Sequence, residues 1–345
     1  GPFTLEPGAV NKVTVGVVWA RASSGGPMAS VQLVRRVDDD AQALFDNCFS
    51  LINGPDAPQT RIVELDKELI LLFENTYNKD VVYYEDQTSV PGFGDVKYKF
   101  QGYQIFQMKD LSVTVNDLKD PSRARLVGQC DLNDSISQII NRYFDQTVEE
   151  LIPVEEVNGE NKGLRNSFKI TQDAFATGDN RLVNHKKYYY LVLSYAVADV
   201  DTNTFGLRYL AGRRTKGFSA LQVYTAIPHI NSPEFSGTVI QSKYGEIPQL
   251  TRIEGQGNGS NNVDLTEESI AAILQAPYWI KHPTYKRNKG PVNIKVVDPL
   301  SVADGEFEFK ILGLSDTSRW SIRRLSDNAT YVSSGTLAMG IEEVI

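Results

Sequence analysis

The chain is poor in the residues on which metal and nucleophile chemistry most often rests: 345 residues hold two cysteines and three histidines. His185, His229 and His282 fall in separate segments, without the close spacings of zinc sites or of a histidine acid–base pair. Neither a paired-cysteine motif nor a nucleophile elbow occurs, although a Ser-His-Asp set drawn from distant positions stays open at the level of sequence. No run approaches the ~18 consecutive apolar residues of a membrane helix, so the chain reads as not membrane-spanning. Basic side chains are outnumbered, 35 against 43 acidic ones, and the net charge of −8 repels a phosphate backbone, which sets nucleic acid aside as a partner. Cys48 and Cys130 leave two readings. One is two buried free thiols; the other is a bridge closing a loop of about 80 residues, worth roughly 4 kcal/mol in the chain-entropy model.

What is present is a globular balance of 23% charged and 10% aromatic residues, in a chain long enough for more than one domain. The opening "GPFTLEPG" has no initiator Met, charged n-region or apolar h-region, and is expected to belong to a mature product or an excised piece. "NKVTVGVVWA" (11–20) alternates and then turns apolar, the pattern of a strand. From Met28 to Leu51 the period lengthens: Val31, Val34, Ala41, Leu44, Phe45 and Cys48 mark an amphipathic helix, with Ser30 as its N-cap and Asn53-Gly54-Pro55 as its stop. Asp38, Asp39 and Asp40 fan out around such a helix and read as a solvated face. Beyond it strands dominate: two short ones around Asp66-Lys67 in 61–75, then 98–110 and 124–132, with "SISQIINRYFD" undecided between strand and helix.

"LVNHKKYYYLVLSYA" (182–196) carries the strongest fold signal. Leu182 precedes Tyr188 by six residues, and Tyr190 and Val192 continue the alternation. This spacing resembles the approach to the sixth strand of fibronectin type III domains, with Ser194 standing where a small apolar residue is common. The resemblance implies that the Tyr188 ring packs in the core while its hydroxyl bonds the turn backbone. After the last strand of that module, 220–228, further alternating segments ("GTVIQSKYG", "QLTRIEG", "PVNIKVVDP", "GEFEFKILG", "RWSIRRL", "ATYVSSG") predict a second antiparallel sandwich. It is interrupted by a helix that starts near Thr266, with Ile270, Ile273 and Leu274 on one face. The expected architecture is therefore mainly β: an N-terminal strand-helix adapter (1–55), a fibronectin type III-like β-sandwich with long loop insertions (56–230), and a C-terminal β-rich, sandwich-like domain (234–345).

Taken with "AQALFDNCF", "FQGYQIFQ", "LAGRRTKGFSALQVYTAIPH" and "RIEGQGNGS", these stretches resemble a recurring region of large multidomain surface proteins exported by Bacteroidetes through the type IX secretion system. The resemblance implies an extracellular or cell-surface location, and as partners other domains of the same large protein or other surface proteins. With its end at "GIEEVI", the chain is expected to be a fragment or processed piece. Asp134-Ser135-Ile136 fits the Asp-Ser/Thr-apolar pattern used for O-glycosylation in that phylum, which marks Ser135.

Three further groups invite a chemical reading. Asp199, Asp201 and Asn203 begin like a calcium loop, but Thr204 occupies the glycine position and no Glu stands at the twelfth place, so ordinary turn residues are the alternative. The glycines of "EGQGNGS" miss the dinucleotide spacing at Ser260 and read as a flexible turn. "APYWIKHPTYKR" gathers Tyr278, Trp279, His282 and Tyr285, the amphipathic set of recognition surfaces; the alternative is that Trp279 and Ile280 anchor the helix end. The function expected is a non-enzymatic structural or adhesive segment, without catalytic residues and with calcium as the one cofactor weighed. Its rivals are a carbohydrate-binding module, using "YWIKHPTY" or the loop "NKDVVYYEDQTSVPGFG", and an accessory subunit of a type IX secretion or gliding-motility complex.

Overall fold

Eleven consecutive residues without a charge, "YYYLVLSYAVA", form the central strand of the molecule, and such a run suits a strand buried on both faces. The computed structural model describes residues 15–22, 26–46, 54–74, 84–90, 94–145, 150–200, 207–255, 262–315 and 317–333. The chain divides into two compact units, Gly1–Asn53 and Gly54–Ile345.

In the first unit, helix α1 (Gly26–Asp46) takes up the predicted helical period. Ser30 lies inside it rather than at its cap, and its Oγ accepts the Ala22 N–H at 3.2 Å. The strand expected over 11–20 is not found in its described part: residues 15–20 form no strand with other described residues, and Val15, Val17 and Trp19 stand exposed. Alternation alone forms no strand where no neighbour supplies hydrogen bonds and a face to cover.

In the second unit two sheets face each other. One holds β1 (Gln59–Leu65), β2 (Glu68–Glu74) and β8 (Ser167–Ile170), in the order β1-β2-β8. A tight turn at Asp66-Lys67 joins β1 to β2, with Lys67 at φ 55°. The other sheet is centred on β4 (Gly94–Met108) and β9 (Tyr188–Ala198), paired antiparallel along most of their length. The outer edge of β4 is shared by β3 (Glu85–Val90) and β5 (Ala124–Asp131); that of β9 is shared by β10 (Tyr209–Ala211) and β11 (Val223–Ala226).

Between the sheets lies a core of Leu69, Leu71 and Phe73 from β2, Tyr103 and Ile105 from β4, and Tyr190 from β9. Tyr188 belongs to the same core at 2% exposure, and its Oη accepts the Val183 N–H at 2.9 Å, as the Leu182–Tyr188 spacing predicts. Ser194 is buried too, with its hydroxyl donating to the Asp56 carbonyl at 2.9 Å.

The outward faces are also covered. Leu191, Leu193, Tyr195 and Val197 lie under a hairpin of β6 (Gln138–Asp145) and β7 (Glu150–Asn158), through Ile139 and Val157. The undecided stretch 135–145 is thus largely strand. On the opposite side Ile70 and Leu72 lie under Tyr244, Val297 and Leu300. Those last three residues come from the region expected to build a second sandwich.

Of the strands expected there, only the last three are found among the described residues. Residues 237–245, 249–255 and 291–299 carry no strand, and only isolated bridges such as Thr251–Thr284 and Leu265–Tyr285 occur there. What remains is the short helix α2 (Glu267–Ile273), capped by Thr266 through the Ser269 N–H, and a meander of β12 (Phe307–Leu312), β13 (Arg319–Arg324) and β14 (Thr330–Val332). Tyr244, Val297 and Leu300 bury themselves against β1–β2, and Arg61 pairs with the buried Asp298 at 2.6 Å. Apolar groups from this region thus cover β1–β2. The described chain is mainly β, sandwich-like, with several antiparallel sheets and two α-helices.

Candidate functional site

A cavity of about 410 Å³ opens at the Ala198 end of β9, where the rims of the two apolar clusters meet. Four separate stretches build it. Tyr84 and Glu85 arrive with β3, Lys99–Gln101 with β4, Leu132, Asp134 and Ile136 with the turn after β5, and Val197–Asp199 with Arg208 from the β9–β10 connection.

A bulge sets the wall on β4. The pairing of β4 with β9 slips between Phe100 and Gly102, so an extra residue is fitted into β4 and side chains are re-aimed. Gln101, fully buried, donates from Nε2 to Asp134 Oδ1 at 3.0 Å and to Ile136 O at 3.3 Å. Only glycine fits at 102: a Cβ there would lie 2.2 Å from Cys130 O and 2.8 Å from Tyr195 Oη.

The turn opposite is held from outside. Asn161 Oδ1 accepts the N–H groups of Asp134 and Ser135 at 2.9 and 3.0 Å, while Asp134 Oδ1 accepts the Ile136 N–H at 3.0 Å. The Asn161 N–H in turn donates to Asp131 Oδ1 at 2.9 Å. Asp131 Oδ2 is buried with no hydrogen-bond partner, and burial raises this carboxyl above its ordinary value.

The charges around the cavity are unevenly matched. Lys97 donates to Glu85 at 2.9 Å, which lowers the Glu85 pKa, and Lys99 lies 3.5 Å from Asp199. Arg208 makes no ion pair or side-chain hydrogen bond among the described residues, and its Nε is buried without an acceptor. Burial, with help from Asp86 and Tyr98, pushes the Tyr84 phenol well above its usual range, and burial lifts Tyr98 to about 12. Neither phenol is an acid–base group near neutral pH.

Several residues singled out from the sequence meet here. Asp199 stands at the mouth, and Ser135 sits exposed on the turn at φ 75° between two lining residues. Tyr84 and Glu85 come from the tyrosine-rich loop weighed as a glycan contact. Asp201 and Asn203 lie outside the described residues, among which no group of three His, Cys, Asp or Glu is arranged to hold a metal ion.

Other candidates lie elsewhere. Tyr278 and Trp279, just beyond α2, are 72% and 61% exposed, so Trp279 does not anchor the helix end. His282 is exposed beside them in sequence. Tyr285 is 4% exposed and does not join a surface patch; its N–H bonds Leu250 O at 2.9 Å and its backbone bridges Leu265. Cys130 is a free buried thiol, raised to about 11 chiefly by burial, and Cys48 lies outside the described residues. A smaller cavity of about 250 Å³ lies between β1 and residues 298–301, where Arg61, Asp298 and Ser301 satisfy one another.

Sequence reasoning missed Arg208 and Gln101. The signal for Gln101 was the Phe100-Gln101-Gly102 interruption of a strand pattern, since glycine inside a strand marks a bulge or a close backbone approach. No local pattern pointed to Arg208. Comparison with protein-family models, with curated proteins and with solved structures finds no match to this chain.

Proposed function

We propose that the chain is a non-enzymatic structural and adhesive segment of a large secreted surface protein, built around a fibronectin type III-like sandwich. One observation carries the fold reading. A sheet ordered β1-β2-β8 faces one ordered β5-β4-β9-β11, and the tyrosine that opens β9 bonds the backbone of the turn before it at 2.9 Å. The covering of both sheets by the chain's own excursions supports a structural spacer, because it leaves loops and end surfaces, rather than sheet faces, for contact. Export by the type IX route and calcium at Asp199 belong to this reading as further expectations.

Beads coated with the whole chain should be retained on polysaccharide- or cell-coated surfaces above an inert-protein control, with no turnover of glycoside, ester or peptide substrates. Retention at the control level, or any turnover, overturns the reading. A carbohydrate-binding module is the second reading, favoured by the exposure of Tyr278 and Trp279, since solvent-facing rings suit the apolar faces of sugars. Trp279→Ala then lowers retention on polysaccharide without moving the thermal midpoint.

A further inference from the structure

We propose that the cavity at the end of β9 receives a carboxylate-bearing sugar, a uronic acid unit of a glycan, with Arg208 taking the carboxylate. The proposal rests on the adhesive reading only for the source of the ligand.

At about 410 Å³ the cavity falls within the roughly 300–1,000 Å³ of small-molecule sites, and it has the mixed lining such sites use. Phe100, Leu132, Ile136 and Val197 supply apolar surface, while the polar groups enter from the rim. Most of those polar groups are already matched: Glu85 by Lys97, Asp199 by Lys99, and Gln101 by Asp134 and Ile136. Among the described residues the lining cation without an ion-pair partner is Arg208. A guanidinium that lines a cavity without a carboxylate partner gains one from a bound anion. The planar guanidinium fork suits a carboxylate, which can accept two parallel hydrogen bonds.

The rest of the rim selects what the carboxylate is attached to. Asp134 uses Oδ1 for Gln101 and Ile136, and its Oδ2 accepts no hydrogen bond among the described residues. A free carboxylate oxygen accepts from a hydroxyl or an amine. A carboxylate, neighbouring hydroxyls and an apolar ring face occur together in a uronic acid. A neutral hexose leaves Arg208 unmatched. A phosphate monoester brings a second negative charge among Glu85, Asp134 and Asp199 for the one cation unpaired among the described residues.

The test is calorimetric titration of the whole chain with an oligogalacturonate, a matched neutral oligogalactose and inorganic phosphate, with thermal midpoints recorded alongside. The acidic oligosaccharide is expected to bind and raise the midpoint, with the neutral one at least tenfold weaker, a difference of about 1.4 kcal/mol. Raised salt should erode the acidic preference. Arg208→Gln should remove that preference while leaving the midpoint of the free chain in place, and Asp134→Asn should weaken both sugars severalfold. Should Arg208→Gln fail to fold, Arg208→Lys keeps the charge without the fork and should still lose severalfold for the acidic sugar. Equal affinity for the two sugars, binding of neither below about 1 mM, phosphate competing as well as the uronate, or indifference to both Arg208 variants each overturns the proposal. Bead retention that fails while titration succeeds sinks the adhesive reading and leaves the pocket standing; the reverse leaves the reading and removes this ligand.

Discussion

At the Tyr188 end of β9 the buried carboxylate of Asp173 accepts from Lys186 at 2.6 Å, Gln107 at 2.8 Å and the Phe175 N–H at 2.9 Å. At the Ala198 end, Asp131 is as deeply buried; one oxygen accepts the Asn161 N–H at 2.9 Å, and the other has no partner at hydrogen-bond geometry among the described residues. The consequences for ionisation are opposite. Burial works against the Asp173 carboxylate, yet Lys186 and the donated hydrogen bonds outweigh it and hold the pKa below its ordinary value. For Asp131 burial prevails and the pKa is raised. Eleven residues of one strand thus separate an end the chain has closed on itself from an end where Asp131 and Arg208 keep polar atoms unmatched among the described residues. Burial alone does not decide the state of a carboxylate; the charge and strength of the donors brought to it do.

This contrast can be broken at its closed end or sharpened at its open one. Tyr188→Ala removes a core ring together with the hydrogen bond to Val183, and should cost about 3–5 kcal/mol in denaturant titration. A loss under about 1 kcal/mol would mean that the corner does not hold the sandwich together.

Asp173→Ala leaves Lys186 and Gln107 without their acceptor. Because Lys186 is about half exposed, the cost should be near 2 kcal/mol rather than the full value of a buried pair. The pKa is lowered by folding, so the stability it contributes is present above the ordinary carboxylate value and fades as pH falls through the lowered one. The gap between the native chain and Asp173→Asn should therefore close in acid; a gap unchanged down to the acid limit contradicts the pairing.

Tyr188→Phe keeps the ring and loses only the bond to the Val183 N–H, for about 1 kcal/mol. Equal losses for the Phe and Ala variants would assign the whole effect to the hydroxyl.

Asp131→Asn carries the smallest effect and the opposite sign. A raised pKa means the favourable contribution is full below the ordinary carboxylate value and lost as pH rises through the raised one. Removing the charge should leave the chain equally or slightly more stable near neutral pH, by less than about 1 kcal/mol, with the advantage shrinking toward acid. A clear destabilisation at neutral pH would show that the Asp131 carboxylate has a partner in solution.

The closed end was the legible one. Leu182 and Tyr188 lie six residues apart on one short turn, and Asp66-Lys67 joins two strands in direct succession, so a local pattern carries the information. The open end was barely legible. Tyr84, Gln101, Asp134 and Arg208 come from four stretches spread over more than a hundred residues, and nothing in any one stretch announces the others. Tyr285 looked like a surface aromatic because composition reports residue type, not which backbone will run beside it.

What the sequence by itself determined is the mainly β character, the apolar β9 and the tyrosine at its start, since period, turn chemistry and short spacings act between near neighbours. Tertiary structure alone decided that Tyr244, Val297 and Leu300 cover β1–β2, and that a bulge at Gln101 meets the turn at Asp134 beside an Arg208 without an ion pair among the described residues. Apolar surface has no address written into it, and it is buried by whichever distant segment the chain's connections bring within reach.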